Sequence, residues 1–234
     1  MSNTTNLNYM LLEIDPNDRE DVKTITRMHI DLLKKWGPMA QLGRIFLRHF
    51  SYTVLVRNDL MRVVLSRIDG KPAGFIAFTP FSTTFLRTAL KKYWIYVIVL
   101  TIISILLNPA NLLRIARAIR LMISRFKEKS LASDPSAEIL AIGVLPQYRD
   151  FKFIHNTGIR ISHDLISYAA SFFNKLGLKK MRAVVDSPNT ETLLFYRSIG
   201  GTFEPYERQG ESMYQVWIDT NLMSNTKNSR ISHK

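Results

Sequence analysis

The chain has 234 residues, 46% of them hydrophobic, with 32 basic and 19 acidic side chains and a net charge of +13. A chain this apolar buries a core, which excludes a disordered polypeptide. It has no cysteine, so disulfides, thiolate metal sites and a thiol nucleophile are excluded.

The charge admits nucleic acid, an anionic membrane face or a phosphate-rich small molecule as partner. No recognition-helix motif and no aromatic residues interleaved along a basic strand are present, so nucleic acid is not expected. The histidines His29, His49, His155, His163 and His233 form no HExxH or HxH pattern, and no metal is expected. The first nine residues are polar and lack an apolar signal core, which leads to the expectation of a cytoplasmic protein.

In chain order, Tyr9 to Ile14 reads as a first strand. Asp15-Pro16 starts a helix, because proline fits the first helical turn. Val22, Ile25, Met28 and Leu32 recur at helical spacing until Gly37-Pro38, and a second helix is expected from Met39 to His49. Met61 to Ile68 and Gly74 to Phe78, joined through Asp69-Gly70, predict a hairpin.

Residues 81–131 interrupt this order and read as an inserted apolar and basic helical hairpin. Its first half, Tyr93 to Leu107, is apolar but for Thr101 and Ser104, somewhat short of the roughly 20 residues of a bilayer span. Its second half sets Leu112, Ile115, Ile119, Met122 and Phe126 on one helical face, beside Arg114, Arg117, Arg120, Arg125 and Lys127. Such a pair predicts peripheral membrane contact at the inner face, a homodimer contact or packing on its own domain.

Alternation resumes with a strand over 138–144, a helix over about 158–176, a strand over 180–185, a helix over 189–199, and closing strands over 202–206 and 212–218. The pattern predicts an α/β (mixed α+β) fold, with a mixed central sheet of six to seven strands and helices on both faces. It forms one domain over residues 1–220, followed by a loose polar tail over 221–234.

Two segments carry chemistry. Val144-Leu145-Pro146-Gln147-Tyr148-Arg149 leaves a strand and leads towards Gly158 and a helix, a turn whose free N–H groups can hold phosphate. Asn189-Thr190-Glu191-Thr192-Leu193-Leu194-Phe195-Tyr196-Arg197-Ser198-Ile199-Gly200 reads as a capped helix with Tyr196 two turns beyond its Asn189 cap. Spaced by one helix and one strand, the two together resemble the pattern of the GNAT N-acetyltransferase family, V-x-P-x-Y-R followed by N-x-x-A-x-x-L-Y-x-x-x-G. The hairpin Arg67 to Ile76 is similar to the family's second and third strands. The resemblance covers residues 9–80 and 137–219.

The resemblance implies transfer of an acetyl group from acetyl-CoA to a primary amine. It gives coenzyme A to Ile142, Val144, Arg149, Gly158, Arg160 and Asn189. It makes Glu138 the base that takes the amine's proton, and Tyr196 the acid that meets the departing thiolate. By alternation Leu140, Ile142 and Val144 share Glu138's face, so burial is expected to raise its pKa. His155 and His163 stand as lesser candidates for the base.

This chain departs from the family's compact R-x-x-G-x-G loop. Asp150 to Thr157 separate Arg149 from Gly158, and Arg160 occupies the second glycine's place. Arg149, Lys152 and Arg160 are expected to replace backbone contacts with charge. The inserted apolar hairpin resembles those of GNAT-like proteins found with surface-polysaccharide enzymes, and that resemblance implies an acceptor such as an amino sugar. A second reading stays open: a GNAT-fold binding or regulatory protein whose altered loop supports no turnover.

Overall fold

The computed structural model describes residues 7–33, 35, 38–82, 84–107, 109, 112–113, 116–117, 120, 137–208 and 210–224. Strand β1 (Tyr9–Glu13) is followed by α1 (Arg19–Leu33), the short helices α2 (Pro38–Gln41) and α3 (Arg44–Phe46), and a π-helix (Leu47–Leu55) continuous with α3. Strands β2 (Arg62–Ile68) and β3 (Lys71–Thr79) form the expected hairpin. Asp69 and Gly70 both adopt positive φ, 50° and 76°, which matches the twist of the flanking strands.

The insertion begins with α4 (Phe85–Leu107), which starts earlier than its apolar run and kinks at Tyr93 (φ −121°, ψ 22°). The basic helix expected over 112–127 lies largely outside the described residues.

Then follow β4 (Ala137–Val144), two short helices α5 (Pro146–Arg149) and α6 (Phe151–Thr157), and α7 (Ile161–Lys175). The chain closes with β5 (Lys180–Asp186), α8 (Thr190–Ser198), β6 (Thr202–Arg208), β7 (Glu211–Asp219) and α9 (Thr220–Ser224). The last helix occupies the start of the segment read as a loose tail, and Met223 within it is buried.

The seven strands make one sheet in the order β1-β2-β3-β4-β5-β7-β6. All neighbours run antiparallel except β4 and β5. Each face is covered by its own core. Ile76, Phe78, Ile139, Leu165, Ala169, Phe173 and Val216 pack beneath α7 and α8. Val22, Ile25, Leu47, Phe50, Leu65 and Phe75 pack beneath α1 and the π-helix. Because the central strands are buried on both sides, β2 buries Val63, Val64 and Leu65 in succession instead of alternating.

Two irregularities shape the centre. Ala77 faces Ala141 and Phe78 faces Ile139, which leaves Leu140 as the extra residue of a β-bulge. The bulge overturns the face assignment made by simple alternation. Glu138 shares its side with Leu140 and Ala141, which join the α1-side core, whereas Ile142 and Val144 join the α7-side core. The second irregularity is the shortness of the parallel pairing. Only Ala137, Glu138 and Ile139 pair with Met181, Arg182 and Ala183. Beyond them β4 and β5 part, and β5 continues against β7 as far as Asp186 opposite Met213.

Candidate active site

The parting of β4 from β5 opens a cavity of about 400 Å³, within the range of small-molecule sites. Its walls are Leu140, Ala141 and Ile142 of β4, Val184 to Asp186 of β5, and Asn189, Thr192 and Tyr196 from the turn and helix after β5. Its opposite side is closed by His29 of α1, Ser51 and Tyr52 of the π-helix, and Phe85 and Leu86 of α4. Glu138 also lines it.

Glu138 is 1% exposed. Its burial is compensated, because Arg182, its register partner on β5, donates from Nη2 to Oε2 at 2.9 Å. A carboxylate taken this far from water needs such a partner. Arg182 also reaches Ser82 Oγ at 3.4 Å, which ties the start of the insertion to the ion pair in the cavity wall.

Tyr196 is almost wholly buried, and burial raises its phenol well above the ordinary value. It is therefore a neutral hydroxyl facing the cavity, suited to donating a hydrogen bond. Asn189 caps α8, its side chain accepting from the Thr192 N–H at 3.3 Å. The same residue thus fixes the helix that carries Tyr196 and forms part of the cavity wall.

The phosphate-loop candidates divide. The additional residues after Arg149 fold into α5 and α6, with the Asp150 side chain accepting from Lys152 N–H to start α6. Gly158 caps α6 at φ 68°, a left-handed conformation that glycine adopts without a Cβ penalty. Arg160 immediately precedes α7 and makes no side-chain cap, so it stands beside that helix's N-terminal N–H groups. Arg149 instead pairs with Glu191 at 2.6 Å. Ile142 lines the cavity, while Val144 is 8% exposed within the α7-side core. His155 stacks on Phe151 at 5.9 Å, and His163 approaches Ser167 at 3.5 Å. Neither lines the cavity.

Two constellations escaped the sequence reading. His29 and Tyr52, 23 residues apart, are joined through His29 Nδ1 and the Tyr52 hydroxyl. The imidazole stacks on Phe75 at 5.7 Å, and burial lowers its pKa to about 3. Burial likewise raises the Tyr52 phenol, so the pair is neutral at ordinary pH. The second constellation also lines the cavity, where Arg117 Nε donates to Glu211 Oε1 at 2.8 Å across 94 positions of sequence. Glu211 and, behind it, Asp186 raise the Arg117 pKa. No local motif announces either pair, since each is assembled only by the fold. Among the described residues no cluster of three or more His, Cys, Asp or Glu is placed to hold a metal ion.

No family model and no curated protein matches the chain. Solved structures do. Spermidine N-acetyltransferase from Vibrio cholerae in complex with CoA and spermine is 12% identical, with a TM-score of 0.52 over 93% of this chain and 99% of that one. The dodecameric form of the Vibrio cholerae enzyme is 13% identical, with a TM-score of 0.50 over 93% and 97% of the two chains. A protein assigned to the GNAT family from Desulfovibrio desulfuricans is 10% identical, with a TM-score of 0.52 over 91% and 99%. The mixed sheet, its parted parallel strands and these likenesses together identify the fold of this chain as that of the GNAT acetyltransferases.

Proposed function

We propose that the chain is an acyl-CoA-dependent N-acyltransferase that moves an acetyl group from acetyl-CoA to a primary amine. The observation that carries this reading is the cavity between β4 and β5. Residues 140–144 of β4 are not paired with β5. Their backbone donors and acceptors suit the amides of a pantetheine arm, which an extended ligand satisfies in the manner of an added strand. The N-terminus of α7, with Arg160 beside it, suits the diphosphate.

Chemistry follows from the groups that converge there. The acceptor ammonium loses a proton to Glu138, directly or through one water. The amine lone pair then attacks the thioester carbonyl carbon. The carbon–sulfur bond breaks, and the thiolate leaves beside the neutral Tyr196 hydroxyl, which stabilises it by a hydrogen bond. The second proton of the attacking nitrogen passes to the sulfur through that hydroxyl, which hands on its own proton as it takes the other and ends neutral. Arg182 holds the Glu138 carboxylate in place. Without cysteine, transfer is direct within a ternary complex.

Two acceptor classes suit the site. An amino sugar rests on the sequence resemblance and on the insertion beside the cavity. A polyamine rests on the carboxylates of Asp186 and Glu211 in the cavity wall, and on the spermine bound in the Vibrio cholerae structure. The competing reading, a binding or regulatory protein without turnover, is favoured by the replacement of the compact phosphate loop by α5 and α6.

Thermal denaturation with acetyl-CoA separates these. A ligand at one hundred times its dissociation constant adds about 2.7 kcal/mol. Stabilisation by acetyl-CoA followed by acetylation within a panel of amino sugars, polyamines and peptides supports the transferase. Stabilisation without turnover on any amine supports the regulatory reading, and the absence of stabilisation at millimolar acetyl-CoA removes the donor site altogether.

A further inference from the structure

Helix α4 is long and apolar enough to cross a membrane, yet only 11% of its most apolar 18-residue window is buried. Its inner edge is fixed to the domain along its length. Phe85, Leu86 and Ala89 are buried at the start, Leu100 and Ser104 near the end, and the Tyr93 hydroxyl donates to Asn58 Oδ1 at 2.8 Å between them. Ten residues past Leu107, Arg117 is again held to the domain by Glu211. A helix bound along one edge cannot be surrounded by lipid, so α4 does not span a bilayer.

The outer surface is another matter. Trp94, Ile95, Ile98, Val99, Ile102 and Leu106 are each 45–74% exposed. With Ile103 and Leu107 they cover roughly 200° of the helix at 3.6 residues per turn. A partner helix occupies a stripe closer to half that width, whereas hydrocarbon covers any arc. Arg87, Lys91 and Lys92 are exposed at the helix's beginning, and Trp94 and Tyr96 separate them from the aliphatic stretch. Such cations and rings suit the headgroup and interfacial region of an anionic bilayer, against which a helix lying in the surface sets its aliphatic face. A second copy would instead bring like charges together on a chain of net charge +13.

We propose that α4 is a one-sided membrane anchor, lying in the surface of an anionic bilayer with its outer face among the acyl chains. This inference stands apart from the catalytic reading and survives its failure. The test is flotation of the full chain with vesicles of phosphatidylglycerol and phosphatidylcholine, against vesicles of phosphatidylcholine alone. The chain is expected to float with the anionic vesicles, with tryptophan emission shifted to the blue. Ile98→Glu/Ile102→Glu is expected to abolish flotation while leaving far-UV circular dichroism and thermal midpoint unchanged. Lys91→Glu/Lys92→Glu, which leaves the apolar face intact, is expected to lower vesicle affinity at least about tenfold.

The inference is overturned if the wild-type chain stays unbound with both vesicle compositions, or if Ile98→Glu/Ile102→Glu floats as the wild type does. Sedimentation equilibrium that finds a dimer dispersed by the same double substitution, without vesicle binding, assigns the face to a second copy instead.

Discussion

Arg182 of β5 stands directly opposite Glu138 of β4 in the short parallel pairing, and its guanidinium closes on that carboxylate at 2.9 Å. With side-chain exposures of 15% and 1%, the pair sits where an unpaired charge is costly. Arg182→Met is therefore expected to destabilise the fold by about 3–5 kcal/mol. Arg182→Met combined with Glu138→Gln recovers much of that loss, because the buried negative charge is removed together with its guanidinium. Urea denaturation of the two single variants and the double variant measures the coupling.

For catalysis the two partners separate. Glu138→Gln removes the proton acceptor and is expected to lower kcat by about 10²–10⁴, while stabilisation by acetyl-CoA persists. Tyr196→Phe removes one hydrogen-bond donor to the leaving sulfur and is expected to cost about a hundredfold in kcat, with little change in acceptor KM. Steady-state kinetics on the accepted amine reads both.

His29 gives the fold a pH signature. Its folded pKa is lowered from 6.5 to about 3 by burial. Below pH 6.5 the unfolded imidazole binds a proton that the folded one refuses. The contribution of His29 to stability is thus complete above that pH and declines as pH falls towards 3, at up to about 1.4 kcal/mol per pH unit. His29→Asn is expected to flatten this part of the profile. Tyr52→Phe retains the slope at a lower overall stability, since the imidazole stays buried but loses its partner. Urea midpoints measured from pH 7 to pH 4 give the comparison.

The pair Arg117–Glu211 is half exposed on the arginine side, at 51%. Its loss is expected to change stability by less than about 1 kcal/mol. Its effect on acceptors is larger and depends on their charge. Arg117→Ala leaves the Glu211 carboxylate without that guanidinium in the cavity wall and is expected to lower KM for a polyamine by about fivefold. Glu211→Gln raises it. A neutral acceptor responds to neither substitution, so the pair of variants also reports the acceptor class.

Much of the fold was legible because local chemistry specified it. Asp69-Gly70 dictated the hairpin turn, Asn189 announced the start of α8, and the β-rich run over 138–144 marked the strand on which the cavity is built. What escaped depends on contacts between distant residues. The bulge at Leu140 leaves no mark on an apolar run, yet it turns Ile142 and Val144 to the opposite face from Glu138. The π-helix over Leu47–Leu55 reads as an ordinary amphipathic helix, but it brings Tyr52 to His29. The compensation of Glu138 by Arg182 needed the register between β4 and β5, which the apolar pattern of either strand alone does not specify.

The three-residue seam between β4 and β5 has a mechanical consequence. The sheet consists of two stiff panels, β1 to β4 and β5 to β7, stitched at one end and open at the other. A thioester arm laid along residues 140–144 acts as the missing thread, so the donor becomes a structural component while it is bound. The amide hydrogens of that half-strand that point away from β3 are then expected to exchange more slowly in the loaded protein than in the free one.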